Sequence, residues 1–356
     1  TSDDFDILRR WYSKAGRARA RRLSEQHWLR VDSPITPDWV ACRQILVATF
    51  ASTGQEAASS IGLADWNAIG SGQAVSVVLE ALSRRGRDWC AEFVDAVVTA
   101  SMPRDAPPSL ESIGRVVVPL IARFDLPVPE GGVYASAWVD WHTARHSLLL
   151  WSAQRQDEPD PVLTTVWFDR AGRAIATDRA GRDTSLLTIL EDDPTVADSL
   201  SRALSSAGAV SRLAVSSRNE ALRPDWHFGR ACAELIARGR LERNRVIDDA
   251  LDALARHDTA ATHRSIAQLL DAVNLVPQDL GPRMSVVHSA MAVSHGSATA
   301  VLLGPTMSAI TEVDDLVELS ATIFGRTERK QQNDLIAMLA SADAKSRFGA
   351  EGLSAC

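Results

Sequence analysis

The sequence predicts a mainly α protein, a HEAT-like α-solenoid of antiparallel helix pairs with a small β-hairpin insert near residues 161–188. Three observations favour this fold class. Apolar residues recur every three or four positions in one segment after another, as they do on one face of a helix. Short breaks separate these segments, and pairs of them follow one another at roughly 30–40-residue intervals. The chain has 356 residues, of which 46% are hydrophobic, enough for two domains or one elongated array with a buried core.

We assign residues 1–155 to an N-terminal helical region. Thr36 and Pro37 have the pattern of a helix cap followed by a first-turn proline. Ser109 is placed to cap a later helix, which ends before Pro127. The helices predicted after this first one cover residues 72–85, 87–101, 110–124 and 134–153.

Residues 156–225 are assigned to a linker region that contains the hairpin insert. The run from Val162 to Phe168 is short and rich in β-branched and aromatic residues, as strands are. The pentapeptide Asp-Arg-Ala-Gly-Arg follows at Asp169 and recurs at Asp178. Each copy suits a tight turn, because its glycine accepts a positive φ. We therefore expect a small hairpin or meander inserted among the helices.

Residues 226–345 form the predicted C-terminal helical-repeat region. Gly239 is expected to end a helix in the left-handed conformation, with Leu241 at the C″ position of a Schellman motif. Pro277 opens one continuous helix, and the tail beyond Lys345 is expected to fray. The helices predicted in this region cover residues 226–238, 243–257, 259–273, 277–291, 297–310, 312–324 and 327–341.

The helix pair at residues 228–257 resembles a segment of the uncharacterised bacterial DUF6493 family. In that family a Gly-Arg-Leu turn is followed by a helix that contains Leu-Asp-Ala-Leu-Ala-Arg. The positions that carry the resemblance here are Gly239, Arg240, Leu241, Arg243, Asp248, Leu251, Asp252, Leu254 and Arg256. The resemblance continues from Ile266 through Pro277 to His288 and lies mainly within residues 226–345. It implies an α-helical repeat fold without an established activity, and it therefore transfers no catalytic residues.

The sequence lacks the motifs of common catalytic and cofactor sites. It contains no HExxH, no G-x-S-x-G, no G-x-G-x-x-G and no CxxC. His142 and His146 are separated by one helical turn and could together bind zinc, but the tryptophans around them favour packing. Cys42, Cys90 and Cys232 lie in apolar helical patterns, where a thiol behaves as a small hydrophobe. The balance of these motifs is against an enzyme, and we expect no catalytic residues, no metal and no cofactor.

Two groups of basic residues are the candidate binding sites. The formal net charge of -7 disfavours a general nucleic-acid binder. Of the 38 Lys and Arg residues 3 are lysines, and we interpret this arginine surplus as GC-rich codon usage. The first group is an N-terminal Arg/Trp cluster, and the second surrounds the Gly239 turn. The candidate binding residues are Trp11, Arg17, Arg19, Arg21, Arg22 and Trp28 in the first group, and Arg240 and Arg243 in the second.

Helical repetition without a catalytic motif favours binding as the function. We expect a non-enzymatic scaffold or adaptor whose partner is another protein, because an α-solenoid presents an extended concave surface. The alternative is a nucleic-acid-binding HEAT-like protein, in one form a DNA-base glycosylase, that uses the N-terminal Arg/Trp cluster. The acidic N-terminus lacks a signal-peptide core, so a cytoplasmic location is expected. No membrane association is expected, since every stretch of about 18 residues contains charges or polar groups.

Overall fold

The fold is described by a computed structural model for residues 50–61, 72–99, 110–154, 165–168, 174–177, 185–214 and 227–356. The chain divides into two compact units, unit 1 (Thr1–Asp183) and unit 2 (Thr184–Cys356). Both are mainly helical in these described ranges, which confirms the predicted fold class at that level. The boundary between the units lies inside the predicted linker region, and the division into three regions stays a prediction.

Among its described residues, unit 1 combines helices with one pair of strands. Its strands pair antiparallel, with Thr165 opposite Thr177 and Phe168 opposite Ala174. Helix α4 packs along α5, α1 packs on α3, and α2 lies against both strands. The described elements are α1 (Gly54–Ser60), α2 (Gly72–Ser83), α3 (Arg87–Thr99), α4 (Leu110–Phe124), α5 (Gly132–Gln154), β1 (Thr165–Phe168) and β2 (Ala174–Thr177).

Two glycines allow helices of unit 1 to approach each other closely. A Cβ atom added to Gly114 of α4 would lie 2.4 Å from the carbonyl oxygen of Ala137 and 2.7 Å from the Cβ atom of Trp141, both on α5. A Cβ atom added to Gly54 would lie 2.3 Å from the backbone nitrogen of Phe93 on α3. Both distances are far inside van der Waals contact, so any larger residue would force these helices apart.

In the part that the structure describes, unit 2 is a series of helices, most of them joined by short connections. The core between them is formed mainly by aliphatic residues, each helix turning one apolar stripe inward. The described helices are α6 (Leu186–Glu191), α7 (Val196–Ser205), α8 (Phe228–Ala237), α9 (Arg243–Leu254), α10 (Ala260–Val273), α11 (Pro277–Leu280), α12 (Met284–Val293), α13 (Gly296–Ala309), α14 (Val313–Phe324), α15 (Arg329–Leu339) and α16 (Ala342–Ser354). Short 3₁₀ turns occupy Ala209–Leu213 and Gly281–Arg283.

The helices of unit 2 pack in two rows. Along the first row α6 contacts α8, α8 contacts α10, α10 contacts α13 and α13 contacts α15. Along the second row α7 contacts α9, α9 contacts α12 and α12 contacts α14. Apart from the single-turn α11, the described helices from α6 to α15 alternate between the rows in chain order. Pairs that follow one another, such as α9 with α10 and α12 with α13, join the two rows, and α16 packs on α15.

Local capping signals explain several of the observed helix ends. Thr259 caps α10, because its side-chain oxygen accepts the backbone N–H of Thr262 at 3.2 Å. Gly239 has a φ of 70° and ends α8 in the left-handed conformation, as predicted. The Schellman bond at 2.8 Å runs from the backbone N–H of Arg240 to the carbonyl of Leu235, so Arg240 occupies the C″ position that the sequence interpretation gave to Leu241.

The structure corrects three predicted boundaries. The helix expected to run on from Pro277 breaks into α11, a 3₁₀ turn and α12, because Pro282 has no N–H to continue it. The tail beyond Lys345 is helical in α16, whose first turn is capped by Ser341. Residues 186–188, which the sequence placed at the end of the predicted hairpin insert, begin α6. Helices α6 and α7 lie within the predicted linker region, and the assignment of that region stays a prediction.

Arginine side chains connect each row of unit 2 from one helix to the next. Arg240 follows α8 and donates to carbonyl groups at the end of α6, the preceding helix of the first row. In the second row Arg256 follows α9 and donates to the end of α7. Arg326 follows α14 and donates to the end of α12. In each case a cation supplies donors to the carbonyls that a helix leaves unpaired at its C-terminus.

Arg326 shows why these positions need arginine. Its side chain is 8% exposed and donates from one guanidinium nitrogen to the carbonyl of Met291 and from the other to the carbonyl of Ser294 at 2.7 Å. The second nitrogen also pairs with Glu328 at 2.8 Å. A lysine ammonium cannot reproduce this planar fork. The arginine surplus therefore has a structural use at these positions, beyond the codon usage inferred from the sequence.

A buried histidine links α10 with two neighbouring elements. His263 is 3% exposed, and its Nε2 lies 3.2 Å from the carbonyl oxygen of Arg256. Its Nδ1 accepts the backbone N–H of His295 at 3.0 Å, at the start of α13. Because one ring nitrogen must donate and the other must accept, the geometry requires a neutral imidazole. Burial lowers the pKa of His263, while the Arg256 carbonyl and Asp258 oppose that effect.

Candidate functional site

An open groove near the end of unit 2 is the candidate functional site. It lies between α13, α15 and α16 and has a volume of about 510 Å³, which is within the usual range of about 300–1,000 Å³ for binding pockets. Its lining consists of Gly304, Met307, Ser308, Asp334, Ala337, Met338, Ser341, Asp343, Ala344 and Arg347.

The groove forms where helical stripes from three helices converge. Helix α13 contributes residues 304, 307 and 308, and α15 contributes residues 334, 337 and 338; both sets have the spacing of one helix face. Helix α15 ends at Leu339, and Ser341 caps α16, because its side-chain oxygen accepts the backbone N–H of Ala344 at 3.1 Å. This tight turn brings the first two turns of α16 against the same opening.

The apolar part of the groove is formed by two methionines and by a glycine, which has no side chain to fill the space. Met307 is 6% exposed on α13, and Met338 is half-buried on α15. A Cβ atom added to Gly304 would meet nothing within 4 Å, so open space lies directly above this backbone. Of the five methionines in the chain, two line this groove. Their flexible thioether side chains can adapt to a partner of irregular shape.

The charged side chains that line the groove differ in whether they have partners within the protein. Arg347 donates to the carbonyls of Met307 at 3.2 Å and of Ile310, and it pairs with Asp343 at 3.2 Å. Its guanidinium is therefore committed to the end of α13 and to its own helix. Within the described part of the chain no hydrogen bond or ion pair engages Asp334, which is half-buried at the groove. One carboxylate thus faces this site without a partner of opposite charge among the described residues.

Of the candidate binding residues predicted from the sequence, the two that the structure describes, Arg240 and Arg243, do not line the groove. Trp11, Arg17, Arg19, Arg21, Arg22 and Trp28 lie outside the described residues. Arg240 is exposed and donates to carbonyls at the end of α6, as described above. Their role in binding stays a prediction.

Arg243, the remaining candidate, forms an ion pair with Asp279 that links the start of α9 to α11. Its guanidinium also donates to the carbonyl of Asn274 at 3.2 Å, at the end of α10. The hydrogen bond from Arg243 lowers the pKa of Asp279 below its ordinary value. Arg243 therefore has a structural task, and its predicted role in binding is not tested by this geometry.

The described residues contain no group of three or more His, Cys, Asp or Glu side chains placed to hold a metal ion. His142 is 2% exposed and packs against Trp138 and Trp141, with ring centroids 5.0 Å and 4.5 Å apart. The side chain of His146 lies outside the described part of the structure.

The two cysteines that the structure describes in helix interiors are both buried. Burial raises the pKa of the Cys90 thiol to about 12 and also raises the pKa of Cys232. Both therefore stay protonated at neutral pH and are poor nucleophiles. This agrees with the predicted packing role, while Cys42 lies outside the described residues.

The groove was not found by sequence reasoning, and the available signal was weak. Met307 and Met338 were visible as apolar helix positions, and Asp334 as one of many surface acids. What makes them a site is the packing of α13 against α15, which joins positions about one repeat apart. Nothing in a single sequence without a repeat consensus specifies that contact.

Comparison with protein-family models, with curated proteins and with solved structures gives no significant match to this chain. The resemblance to the DUF6493 family therefore stays a prediction. Among the helices that the structure describes, none is both long enough and apolar enough to cross a lipid bilayer.

Proposed function

We propose that this chain is a non-enzymatic helical-repeat protein that acts as a scaffold or adaptor by binding another protein. In this proposal unit 2 is a HEAT-like α-solenoid, and the strand pair of unit 1 is a hairpin insert. The observation that carries the proposal is the alternation of the helices of unit 2 between two rows. Repeat arrays of this kind present continuous surfaces, and they use them mainly for recognition of partners.

The groove at α13, α15 and α16 supports the same function. It is open to solvent, lined partly by methionine, and placed at the end of the first row. An exposed groove of this kind accepts an extended segment or a helix from a partner, with apolar anchors and a few charged contacts. The family resemblance, a cytoplasmic location and the absence of membrane association agree with this proposal and stay predictions.

The proposal is tested by affinity purification of the tagged full chain from a lysate of its source organism, with and without nuclease treatment. We expect at least one protein to co-purify in a fixed stoichiometry and to remain after nuclease treatment. Crosslinking followed by mass spectrometry should place that protein on unit 2. If all co-purifying material disappears with nuclease, the nucleic-acid alternative replaces this proposal, and the N-terminal Arg/Trp cluster becomes the first region to mutate.

A further inference from the structure

We infer that the groove between α13, α15 and α16 binds a peptide segment of the partner that carries a lysine or arginine next to a large apolar side chain. This inference rests on the proposed function, because it names the chemistry of the partner at the same site. The occupant is thus a short linear segment of another protein, bound through one cationic and one apolar anchor.

The apolar anchor is assigned to the space between Met307 and Met338. These side chains stand on facing helices, and the absence of a side chain at Gly304 leaves room beside them. Burying a leucine- or methionine-sized side chain here removes apolar surface from water on both partners, at roughly 25 cal/mol per Å². The pocket has room for a few side chains and is too small for a folded domain.

The cationic anchor is assigned to Asp334. Its carboxylate has no partner among the described residues, whereas Asp343 already pairs with Arg347. The three charged side chains of the lining carry one net negative charge between them. An acidic or phosphorylated segment would meet the opposite electrostatics, because the Arg347 donors are already bound to carbonyls.

The test is a selection of random twelve-residue peptides displayed on phage against the immobilised full chain. The enriched peptides are then synthesised, and their affinities are measured by fluorescence polarisation. We expect enrichment of Lys or Arg within a few residues of Leu, Met or Phe. The inference is overturned if no peptide is enriched, or if the enriched peptides lack a basic residue.

Three variants connect the binding to this groove. Asp334→Asn removes the carboxylate charge and should weaken the selected peptides about tenfold. Gly304→Leu fills the open space without changing the charge and should abolish binding. Asp314→Asn is the matched control, since it removes an exposed acid in the first turn of α14 that does not line the groove; it should leave affinity unchanged. Equal affinity for all three variants would place the peptides elsewhere and overturn the inference.

Failure of this inference can be separated from failure of the proposed function. Each variant is first checked for the helical circular dichroism and thermal transition of the unaltered chain, so that loss of binding is not loss of folding. A nuclease-resistant partner that binds Gly304→Leu as strongly as the unaltered chain would retain the scaffold proposal while rejecting the groove as its site. The absence of any such partner would reject the scaffold proposal itself.

Discussion

Replacing Arg326 with alanine removes the hydrogen bonds that its guanidinium makes to the end of α12. The two carbonyls that lose their donor belong to Met291 and Ser294, and Ser294 is 2% exposed, so water cannot easily substitute. A hydrogen bond to a charged group contributes about 1.5–3 kcal/mol, and an abandoned buried acceptor costs a similar amount. Two such bonds give an expected loss of about 3–6 kcal/mol in the free energy of unfolding of unit 2.

Two further variants show whether the loss of stability comes from the hydrogen bonds of the Arg326 guanidinium. Arg326→Lys should lie between the unaltered chain and Arg326→Ala, because an ammonium keeps the charge and loses the planar fork. Arg245→Ala is the matched control in the same unit. Arg245 pairs with Asp198 at 2.9 Å, but both side chains are largely exposed, at 44% and 62%. Exposed pairs of this kind contribute about 0–1 kcal/mol.

The assay is urea unfolding followed by two signals. Circular dichroism reports the helices of both units, whereas tryptophan fluorescence reports mainly unit 1, since Trp226 alone among the ten tryptophans belongs to the sequence of unit 2. A loss of about 4 kcal/mol at a slope of about 2 kcal/mol/M moves the midpoint of unit 2 by about 2 M. If Arg326→Ala and Arg245→Ala shift the midpoint equally, arginine capping does not stabilise the rows.

Two other perturbations probe packing and protonation. Gly114→Ala should destabilise unit 1 by about 1–3 kcal/mol, because the added Cβ atom would overlap the carbonyl oxygen of Ala137. In Gly304→Ala the added Cβ atom enters open space, and this variant should stabilise unit 2 by about 0.5–1 kcal/mol. A drop in melting temperature of similar size for both variants would refute the close approach of α4 and α5 as the cause. Burial lowers the folded-state pKa of His263 below its ordinary value of 6.5, so the unfolded chain takes up the proton first as the pH falls. The contribution of His263 to the stability of unit 2 should therefore be complete above about pH 6.5. It should decrease as the pH falls from there and level off below the folded-state pKa. His263→Gln should remove this component, which urea midpoints measured between about pH 7.5 and about pH 5 would detect, and an unchanged slope in the variant would contradict it.

The local part of the fold could be predicted because its signals lie within one or two turns of the chain. Thr259 and Gly239 mark helix ends through side-chain capping and a positive φ, and Gly239 acts at the position predicted for it. The apolar stripe of α3 was also visible, since its buried residues recur at helical spacing. These features require no knowledge of what the helix packs against.

The parts of the fold and of the groove that the sequence did not predict depend on contacts between residues far apart in the chain. Helix α6 has 6 residues, too few for a periodic apolar pattern to indicate a helix within the predicted linker region. The use of Arg326 was hidden for a different reason. A sequence shows that an arginine follows a helix, but the acceptor is a backbone carbonyl group about one repeat away. Every residue carries the same backbone carbonyl, so the sequence does not indicate which one accepts the hydrogen bond. The sequence does not mark Asp334 as a site residue either, because only the packing of α13 on α15 places it at the groove.

The measurement that tests the account most directly is hydrogen–deuterium exchange of the full chain, alone and with its nuclease-resistant protein partner bound. If the chain is a scaffold that binds its partner through the groove, peptides within residues 296–354, which contain α13, α15 and α16, should exchange more slowly in the complex. Slower exchange confined to unit 1, with residues 296–354 unchanged, would contradict the assignment of the binding surface to unit 2.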